Sequence, residues 1–270
     1  MNSPHRHPNA ARQNHLLAAL TEADWDAWLP HLEPVELALG QVLCESGSAP
    51  AHLVFPTTAI VSWLYMTQEG ASAEIAVVGH DGVVGISLFM GGNAMPSRAV
   101  VQHPGQGYRL RAQVVKNEVA RAGPPLQILL RYTQTLIAQV AQTAACNRYH
   151  SIDQRMCRRL LMGLDRLPSD ELVMTQELLA SLLGVRREGV TAAALKLQQD
   201  GVIRYSRGHI AVLDRQRLEQ RTGGERHGMA HKGFARPLPL PLPSALPRAV
   251  PLTLPRCLPL AMPMPMPMAA

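Results

Sequence analysis

The stretch that decides the fold runs from Thr175 to Ile203 and reads TQELLASLLGVRREGVTAAALKLQQDGVI. Apolar residues recur at three- and four-residue steps on either side of Gly184, which predicts two amphipathic helices. We expect the first helix to begin at Thr175 and the second to run from about residue 186 to residue 199, with Val185 filling the angle between them. A helix, a short turn containing glycine and a second helix form a helix-turn-helix unit.

The start of the second predicted helix carries the residues that suggest a chemistry. It opens with Arg186, Arg187 and Glu188, and Thr191 follows one turn later. In a helix-turn-helix unit this helix start reaches base edges in the major groove of DNA. An arginine can donate two hydrogen bonds to guanine, a glutamate can accept one from cytosine, and a threonine can donate to a phosphate. Gly189 weakens the helix by about 1 kcal/mol relative to alanine, and either allows close approach to DNA or has no role.

The residues after the second helix predict a β-hairpin. Residues 202–205 and 210–213 alternate in polarity on either side of an Arg207-Gly208 turn. Such a hairpin forms a wing beside the helix-turn-helix and would lie along DNA phosphates, although a solvated hairpin with no role in DNA binding gives the same pattern. The candidate DNA contacts outside the second helix are Thr175, Gln176, Arg204, Arg207 and His209.

The first half of the chain has a different texture. From Pro34 to about Ala120, short apolar runs recur about every ten residues, separated by turn-forming pairs such as Glu69-Gly70 and Pro104-Gly105. This spacing is typical of an all-β roll or barrel. Two short helices are expected before it, with Thr21 as the N-cap of the second.

Two helices are expected between the roll and the helix-turn-helix. No Gly or Pro interrupts the chain from residue 126 to about residue 147, and its leucines recur at helical spacing after Pro124-Pro125. A helix of about 24 residues is about 36 Å long, and one of that length usually joins domains or pairs with a copy of itself. The next helix, over about residues 151–167, carries apolar residues on one face and arginines on the other; these are Arg155, Arg158, Arg159 and Arg166.

Composition limits the remaining possibilities. The chain has 270 residues, 47% of them hydrophobic, and a net charge of +6, which suits about two domains and a polyanionic partner. Five Lys and Arg against one acidic residue follow Arg221, so the end of the chain holds +4 of this charge and the total says little about a DNA-binding face. Eleven of the 22 prolines lie between Pro237 and Pro267, which predicts a disordered or polyproline-II tail.

The cysteines and the apolar patterning indicate a compartment. The four cysteines show no C-x-x-C spacing, which argues against a disulfide framework or a zinc ribbon. We find no secretory signal and no window of about 18 apolar residues, so we expect a soluble cytoplasmic protein without a membrane partner.

The order of β-roll, long helix and winged helix-turn-helix over residues 15–218 resembles the Crp/Fnr family of bacterial transcription regulators. The most specific match is Val185-Arg186-Arg187-Glu188-Gly189-Val190, which is similar to the family's S-R-E-x-V stretch with Arg186 in the serine position. The resemblance implies that Arg187 and Glu188 read bases. It further implies promoter DNA as the partner, a homodimer that pairs in parallel along Leu126–Ala144, and RNA polymerase as a further candidate partner. Ala192 stands where many members carry another arginine, so the operator does not follow from the resemblance.

The resemblance extends to the nucleotide pocket of the roll, where the chain departs from the family pattern. The matching residues are Gly82, Gly85, Ser97 and Arg98. Cyclic-nucleotide-binding members have a Gly-Glu pair and an Arg-Ser/Thr-Ala stretch here. This chain has Ile86 in place of the glutamate and the order Ser97-Arg98, and one step along a strand moves a side chain to the other face. We therefore expect no cyclic nucleotide binding, and the effector stays unknown.

Other functions fit the sequence less well. The N-terminal region lacks the cysteine cluster of iron–sulfur members, so buried structural thiols and no cofactor are expected. A cupin-like metalloenzyme would need clustered His and Glu ligands, whereas His52, His80 and His103 are dispersed and His5 and His7 lie in the predicted disordered lead. A non-enzyme is therefore expected. A winged helix that binds protein instead of DNA stays open.

The predicted architecture is α+β, with an antiparallel β-roll that is jelly-roll-like and similar to cyclic-nucleotide-binding domains. The boundaries expected from the sequence are a disordered lead over 1–13, the roll over 14–122, a dimerisation helix over 123–150, a winged helix-turn-helix over 151–221 and a proline-rich tail over 222–270.

Overall fold

The computed structural model describes residues 8–92, 94–167, 169 and 171–223. The helices are α1 (Pro8–Ala11), α2 (His15–Ala18), α3 (Glu22–Trp28), α4 (Ala112–Arg121), α5 (Pro124–Tyr149), α6 (Ile152–Leu164), α7 (Gln176–Leu183), α8 (Arg187–Gln199) and α9 (Arg215–Gln220). The strands are β1 (Glu33–Leu37), β2 (Val42–Cys44), β3 (His52–Pro56), β4 (Ile60–Met66), β5 (Ser72–Val78), β6 (Ser97–His103), β7 (Gly105–Arg111), β8 (Glu171–Val173), β9 (Ile203–Ser206) and β10 (His209–Val212). None of the described helices is both long enough and apolar enough to cross a membrane.

The first seven strands form the predicted β-roll. They make two antiparallel sheets with strand orders β1-β7-β3 and β2-β6-β4-β5. Alternation along β6 shows how the sequence selects the buried face, because Ala99 and Val101 enter the core while Arg98 and Val100 do not. The fold class predicted from the sequence is confirmed.

The end of the β-rich region differs from the prediction. The sequence predicted a β-rich region that continues to about Ala120, but helix α4 already begins at Ala112. Val115 is fully buried, and Val114 and Val119 pack against the same core, so one helical face covers the end of the roll. The short apolar run at 114–115 fits a strand as well as a helix, and its packing decides between them.

The predicted disordered lead is too long. Pro8–Ala11 is a helix, and Ala11 is fully buried against the roll. Asn14 is also fully buried, where its amide donates to the carbonyl oxygens of Pro56 and Gly82 and its carbonyl caps α2. Specific contacts with the roll therefore order residues 8–14. Composition alone did not show that the ordered region begins this early. Residues 1–7 and 224–270, which include most of the predicted tail, lie outside the described residues.

The long helix α5 begins at Pro124, as predicted, and shows two different apolar faces. Leu129, Tyr132 and Leu136 are buried against the roll. Leu130 and Ile137 point away from it and are 47% and 61% exposed. One face of α5 thus packs into the core of its own roll. No described residue buries the other face.

Helices α6 and α7 pack directly against the roll through strand β5. Arg159 of α6 forms an ion pair with Glu74 of β5 at 2.6 Å between Nε and Oε1, and both side chains are buried. Arg166 forms a second pair with Asp81 at 2.8 Å between Nη2 and Oδ2. The hydroxyls of Ser72 and Ser181 lie 2.7 Å apart.

These contacts correct the predicted arginine face of α6. Arg159 and Arg166 are only 4% exposed, whereas the helical pattern placed them on a polar face. The acids that permit their burial lie on the roll, 85 residues away in sequence, and no local pattern could pair them.

Candidate nucleic-acid interface

Helix α7 and the turn after it set the angle of the helix-turn-helix. Thr175 is the N-cap of α7, where its hydroxyl oxygen accepts a hydrogen bond of 3.1 Å from the Leu178 amide. The helix ends at Gly184, whose φ of 62° is a left-handed conformation that glycine adopts without a side-chain clash. The amide of Val185 then donates back to the carbonyl of Ala180 at 3.0 Å. The turn is therefore closed by the glycine that the sequence singled out.

Helix α8 presents its first turn to solvent. Its buried face, formed by Val190, Ala193, Ala194 and Leu197, packs into the core of the C-terminal domain. The start of α8 lies on the opposite side, and Arg186, Arg187 and Glu188 are all exposed. Arg186 is the N-cap and makes no side-chain capping bond, so α8 proper begins at Arg187, one residue later than predicted.

A hydrogen bond joins the two helices next to this exposed turn. The hydroxyl of Thr191 donates to Oε1 of Gln176 at 2.9 Å and lies 3.1 Å from the carbonyl oxygen of Arg187. The first turns of α7 and α8 are thereby held side by side. The structure thus brings together three residues that the sequence proposed separately.

The predicted wing is formed by β9 and β10. Ser206 pairs with His209, which leaves Arg207 and Gly208 as a two-residue turn. Their φ angles of 49° and 82° are both positive, as a type I′ hairpin requires. Arg204, Arg207 and His209 are exposed along this hairpin.

Two contacts hold the wing against the start of α7. The amide of Met174 donates to the carbonyl of Gly208 at 2.7 Å, and the Tyr205 hydroxyl donates to the Met174 carbonyl at 2.8 Å. Burial raises the pKa of Tyr205 to about 12, which keeps its hydroxyl protonated as a donor. Strand β8, which the sequence analysis missed because it is only three residues long, pairs with β10 and completes the sheet.

The charge of this surface is strongly positive. Four exposed arginines, Arg186, Arg187, Arg204 and Arg207, lie on it together with one glutamate, Glu188. None of these five residues takes part in an ion pair with another described residue. The guanidinium groups of the four arginines are therefore available to a polyanion.

Residues 154–221 match the family model of the Crp-like helix-turn-helix domain. The fold is also similar to solved structures of proteins of the Crp/Fnr and CRP families. A Crp/Fnr-family protein from Eubacterium rectale has 20% identity and a TM-score of 0.60 over 78% of this chain and 99% of its own. A CRP-family transcriptional regulator from Thermus thermophilus has 18% identity and a TM-score of 0.59 over 70% and 96% of the two chains. The c-di-GMP-responsive regulator CLP from Xanthomonas campestris has 16% identity and a TM-score of 0.57 over 71% and 99%.

The chain has the Crp/Fnr fold and carries a Crp-like helix-turn-helix domain. The resemblance inferred from the sequence is thereby confirmed for the fold and for this domain. No curated protein matches the chain.

Within the Crp-like domain, Gly189 has a packing role that the sequence analysis did not consider. A Cβ atom added there would lie 2.8 Å from Cδ1 of Ile152, at the start of α6. The missing side chain therefore lets α8 approach α6.

The two glycines considered for a nucleotide pocket serve the packing of the roll. A Cβ atom on Gly82 would lie 2.6 Å from the hydroxyl oxygen of Tyr132, a buried residue of α5. Gly85 has a φ of 103°, and a Cβ atom there would lie 2.8 Å from the carbonyl oxygen of His52. Both positions demand glycine for steric reasons alone.

The other two pocket residues lie on opposite faces of β6. Ser97 is buried, whereas Arg98 leaves the core face and forms an ion pair with Glu45 at 3.1 Å. No hydrogen bond or ion pair links Gly82, Gly85, Ser97 and Arg98 to one another in the described part of the chain. Binding at these four residues stays a prediction without support from these contacts.

The cysteines and histidines give no metal centre within the described residues, where no group of three or more potential ligands is close enough to hold an ion. Cys44 and Cys157 are free thiols. Burial raises the pKa of Cys157 to about 12, so this thiol stays protonated.

Proposed function

We propose that this protein is a DNA-binding transcription regulator that acts as a homodimer. In this proposal Arg187 and Glu188 read base edges in the major groove. Arg204, Arg207 and His209 of the wing contact phosphates, and Arg186, Thr175, Gln176 and Thr191 position the reading helix. The single observation that carries the proposal is the exposed first turn of α8 in a Crp-like domain, with two arginines and a glutamate free of ion pairs among the described residues.

The long helix supplies a surface for pairing two copies. One set of its exposed positions follows a four-three-four-three spacing, which is the spacing of a coiled-coil seam. These positions are Leu130, Gln134, Ile137, Ala141 and Ala144. Leucine and isoleucine give the seam an apolar start, and the alanines allow a close approach of two helices. Pairing along this seam in parallel would set two reading helices about 34 Å apart, in successive major grooves.

The effect of removing the main reading arginine tests the function. A binding site is first selected from a randomised duplex library with the wild-type protein. Arg187→Ala is then expected to weaken binding to that site by about 1–3 kcal/mol and to relax the preference at one base position. Fluorescence anisotropy on the selected site and its single-base variants measures both effects.

A control variant and a salt titration accompany this test. Arg121→Ala, which removes an exposed arginine of α4, should leave the affinity for DNA unchanged. Unchanged affinity of Arg187→Ala, or an affinity of the wild type for DNA that does not fall with added salt, would instead favour a winged helix that binds protein.

The wing turn allows binding to be separated from folding. Arg207 has a positive φ, which costs a non-glycine residue about 1–2 kcal/mol. Arg207→Gly relieves that strain but adds about 0.4–1 kcal/mol of chain entropy to the unfolded state. We expect the free energy of unfolding to stay within about 1 kcal/mol of the wild type.

The same variant should bind DNA more weakly at every sequence. The slope of log affinity against log salt should fall by about 0.9, because one phosphate contact is lost. Urea unfolding and a salt titration measure the two effects. A salt slope equal to the wild-type slope would remove Arg207 from the interface.

A further inference from the structure

A cleft lies where the Crp-like domain meets the roll, apart from the DNA surface and from the expected nucleotide pocket. Its walls come from β5, the C-terminal end of α5, α6 and the end of α7. It encloses about 30 Å³ of free space, room for about two water molecules, and it is partly open to solvent.

The charged side chains on the cleft are mostly arginines of one helix face. Arg158 and Arg159 lie three and four residues after Arg155 on α6, so both neighbour Arg155 on the helix surface. Glu74 is the one carboxylate among the residues that line the cleft. The cleft is therefore lined by three arginines and one carboxylate, and of the three arginines Arg159 pairs with that carboxylate.

The buried guanidinium of Arg159 has more donors than Glu74 can accept. One carboxylate oxygen of Glu74 faces Nε of Arg159 at 2.6 Å, and the other accepts from the hydroxyl of Ser62. Nη1 and Nη2 of Arg159 are buried and have no acceptor among the described residues, although the side chain is only 3% exposed. Nε of Arg155 is also buried without an acceptor, while Nη2 of the same side chain donates to the carbonyl of Leu183. Buried donors without acceptors are costly, and they mark a place where an unseen acceptor belongs.

Arg166, two residues after the end of α6, shows how the chain satisfies such a group when it is purely structural. Its Nε and Nη2 donate to the two oxygens of Asp81 at 3.0 and 2.8 Å, and its Nη1 donates to the Met162 carbonyl at 2.8 Å. Both arginines have side chains 3% exposed. The two arginines are therefore equally buried but differ in their acceptors. Arg159, the one that lines the cleft, lacks acceptors for Nη1 and Nη2.

We propose that this cleft binds a small oxyanion, with a phosphate group as the best fit, which accepts from Arg159 and Arg155. Guanidinium groups pair with phosphate or carboxylate through two parallel hydrogen bonds. Thr143 and Asn147, one turn apart on α5, lie on the facing wall. Burial lowers the pKa of Arg155 and raises the pKa of Glu74. An anion bound beside Arg155 would raise the pKa of Arg155 again, because it stabilises the charged guanidinium.

A bound oxyanion would touch α6 and the C-terminal end of α5, and so would link the Crp-like domain to the long helix, which suits the cleft to an effector. Binding itself is independent of the proposed DNA function. Only a consequence for DNA affinity rests on that function.

Titration calorimetry with inorganic phosphate on the full chain, against chloride of equal ionic strength, tests the proposal. We expect saturable binding of about one phosphate per chain with a dissociation constant at or below about 1 mM. Arg155→Gln, at a half-buried position that is less critical for folding than Arg159, should weaken this binding at least tenfold. Parallel titrations with sulfate and acetate distinguish a tetrahedral anion from a carboxylate.

A control variant identifies the binding place. Arg148→Gln removes an exposed arginine of α5 that does not line the cleft, and it should bind phosphate like the wild type. Circular dichroism confirms that each variant is folded. Absence of saturable binding by any of the three anions, or equal binding by wild type and Arg155→Gln, would overturn the proposal. Either result leaves the Arg187 test untouched, so the two proposals fail separately.

Discussion

Asp81→Ala is expected to lower the free energy of unfolding by about 3–5 kcal/mol. The substitution leaves the guanidinium of Arg166 buried without its carboxylate, and an uncompensated buried charge costs about that amount. It also removes the bond from the Gly79 amide to Asp81 at 3.1 Å. Urea unfolding at pH 7 measures the loss.

A double-mutant cycle separates the charge from the packing. Arg166→Met combined with Asp81→Ala removes both charges, so the double variant should be less destabilised than the sum of the single variants. Asp26→Ala, which removes an exposed acid of α3, should change stability by no more than about 0.5 kcal/mol. A loss below about 1 kcal/mol for Asp81→Ala would mean that Arg166 finds another partner and that the pair does not fasten α6 to the roll.

The parts of the fold that depend on local patterns could be predicted from the sequence. Helical spacing on both sides of Gly184 located α7 and α8, and the Arg207-Gly208 pair located the wing turn. These features are local because a left-handed turn or an amphipathic face needs only its own neighbours. Helix α4 was not predicted because its short apolar run fits a strand as well as a helix. Its packing against the end of the roll selects the helix.

The contacts across the domain junction could not be predicted in this way. Glu74 interrupts an apolar strand, which was a signal that a partner must exist, but nothing in the sequence identifies Arg159 as that partner. The same holds for the hydrogen bond between Gln176 and Thr191, which needs the actual angle between two helices. At the start of α8 and on the wing the sequence predicted exposed residues, because helix starts and hairpin turns leave their side chains uncovered.

The second large effect is expected at the seam of α5, where Ile137→Glu should convert a dimer into monomers. Burying one isoleucine contributes about 1.5–3 kcal/mol, and a symmetric dimer buries two. Glutamate loses this contribution and places two like charges opposite each other. The dimer dissociation constant should therefore rise at least 100-fold, which sedimentation velocity over a concentration series measures.

Leu39→Glu is the matched control for this change. Leu39 and Ile137 are each 61% exposed, but Leu39 lies in the turn after β1, away from the seam. The same new charge at equal exposure should leave the dimer intact. DNA affinity adds a second readout, since two half-sites can be bound at once only by a pair of reading helices. A monomeric Ile137→Glu should thus prefer a single half-site, with no gain from a second half-site one helical turn away. A variant that stays dimeric would place the contact between copies on another surface, because a coiled-coil seam cannot accept two facing carboxylates at its centre without a large loss of stability.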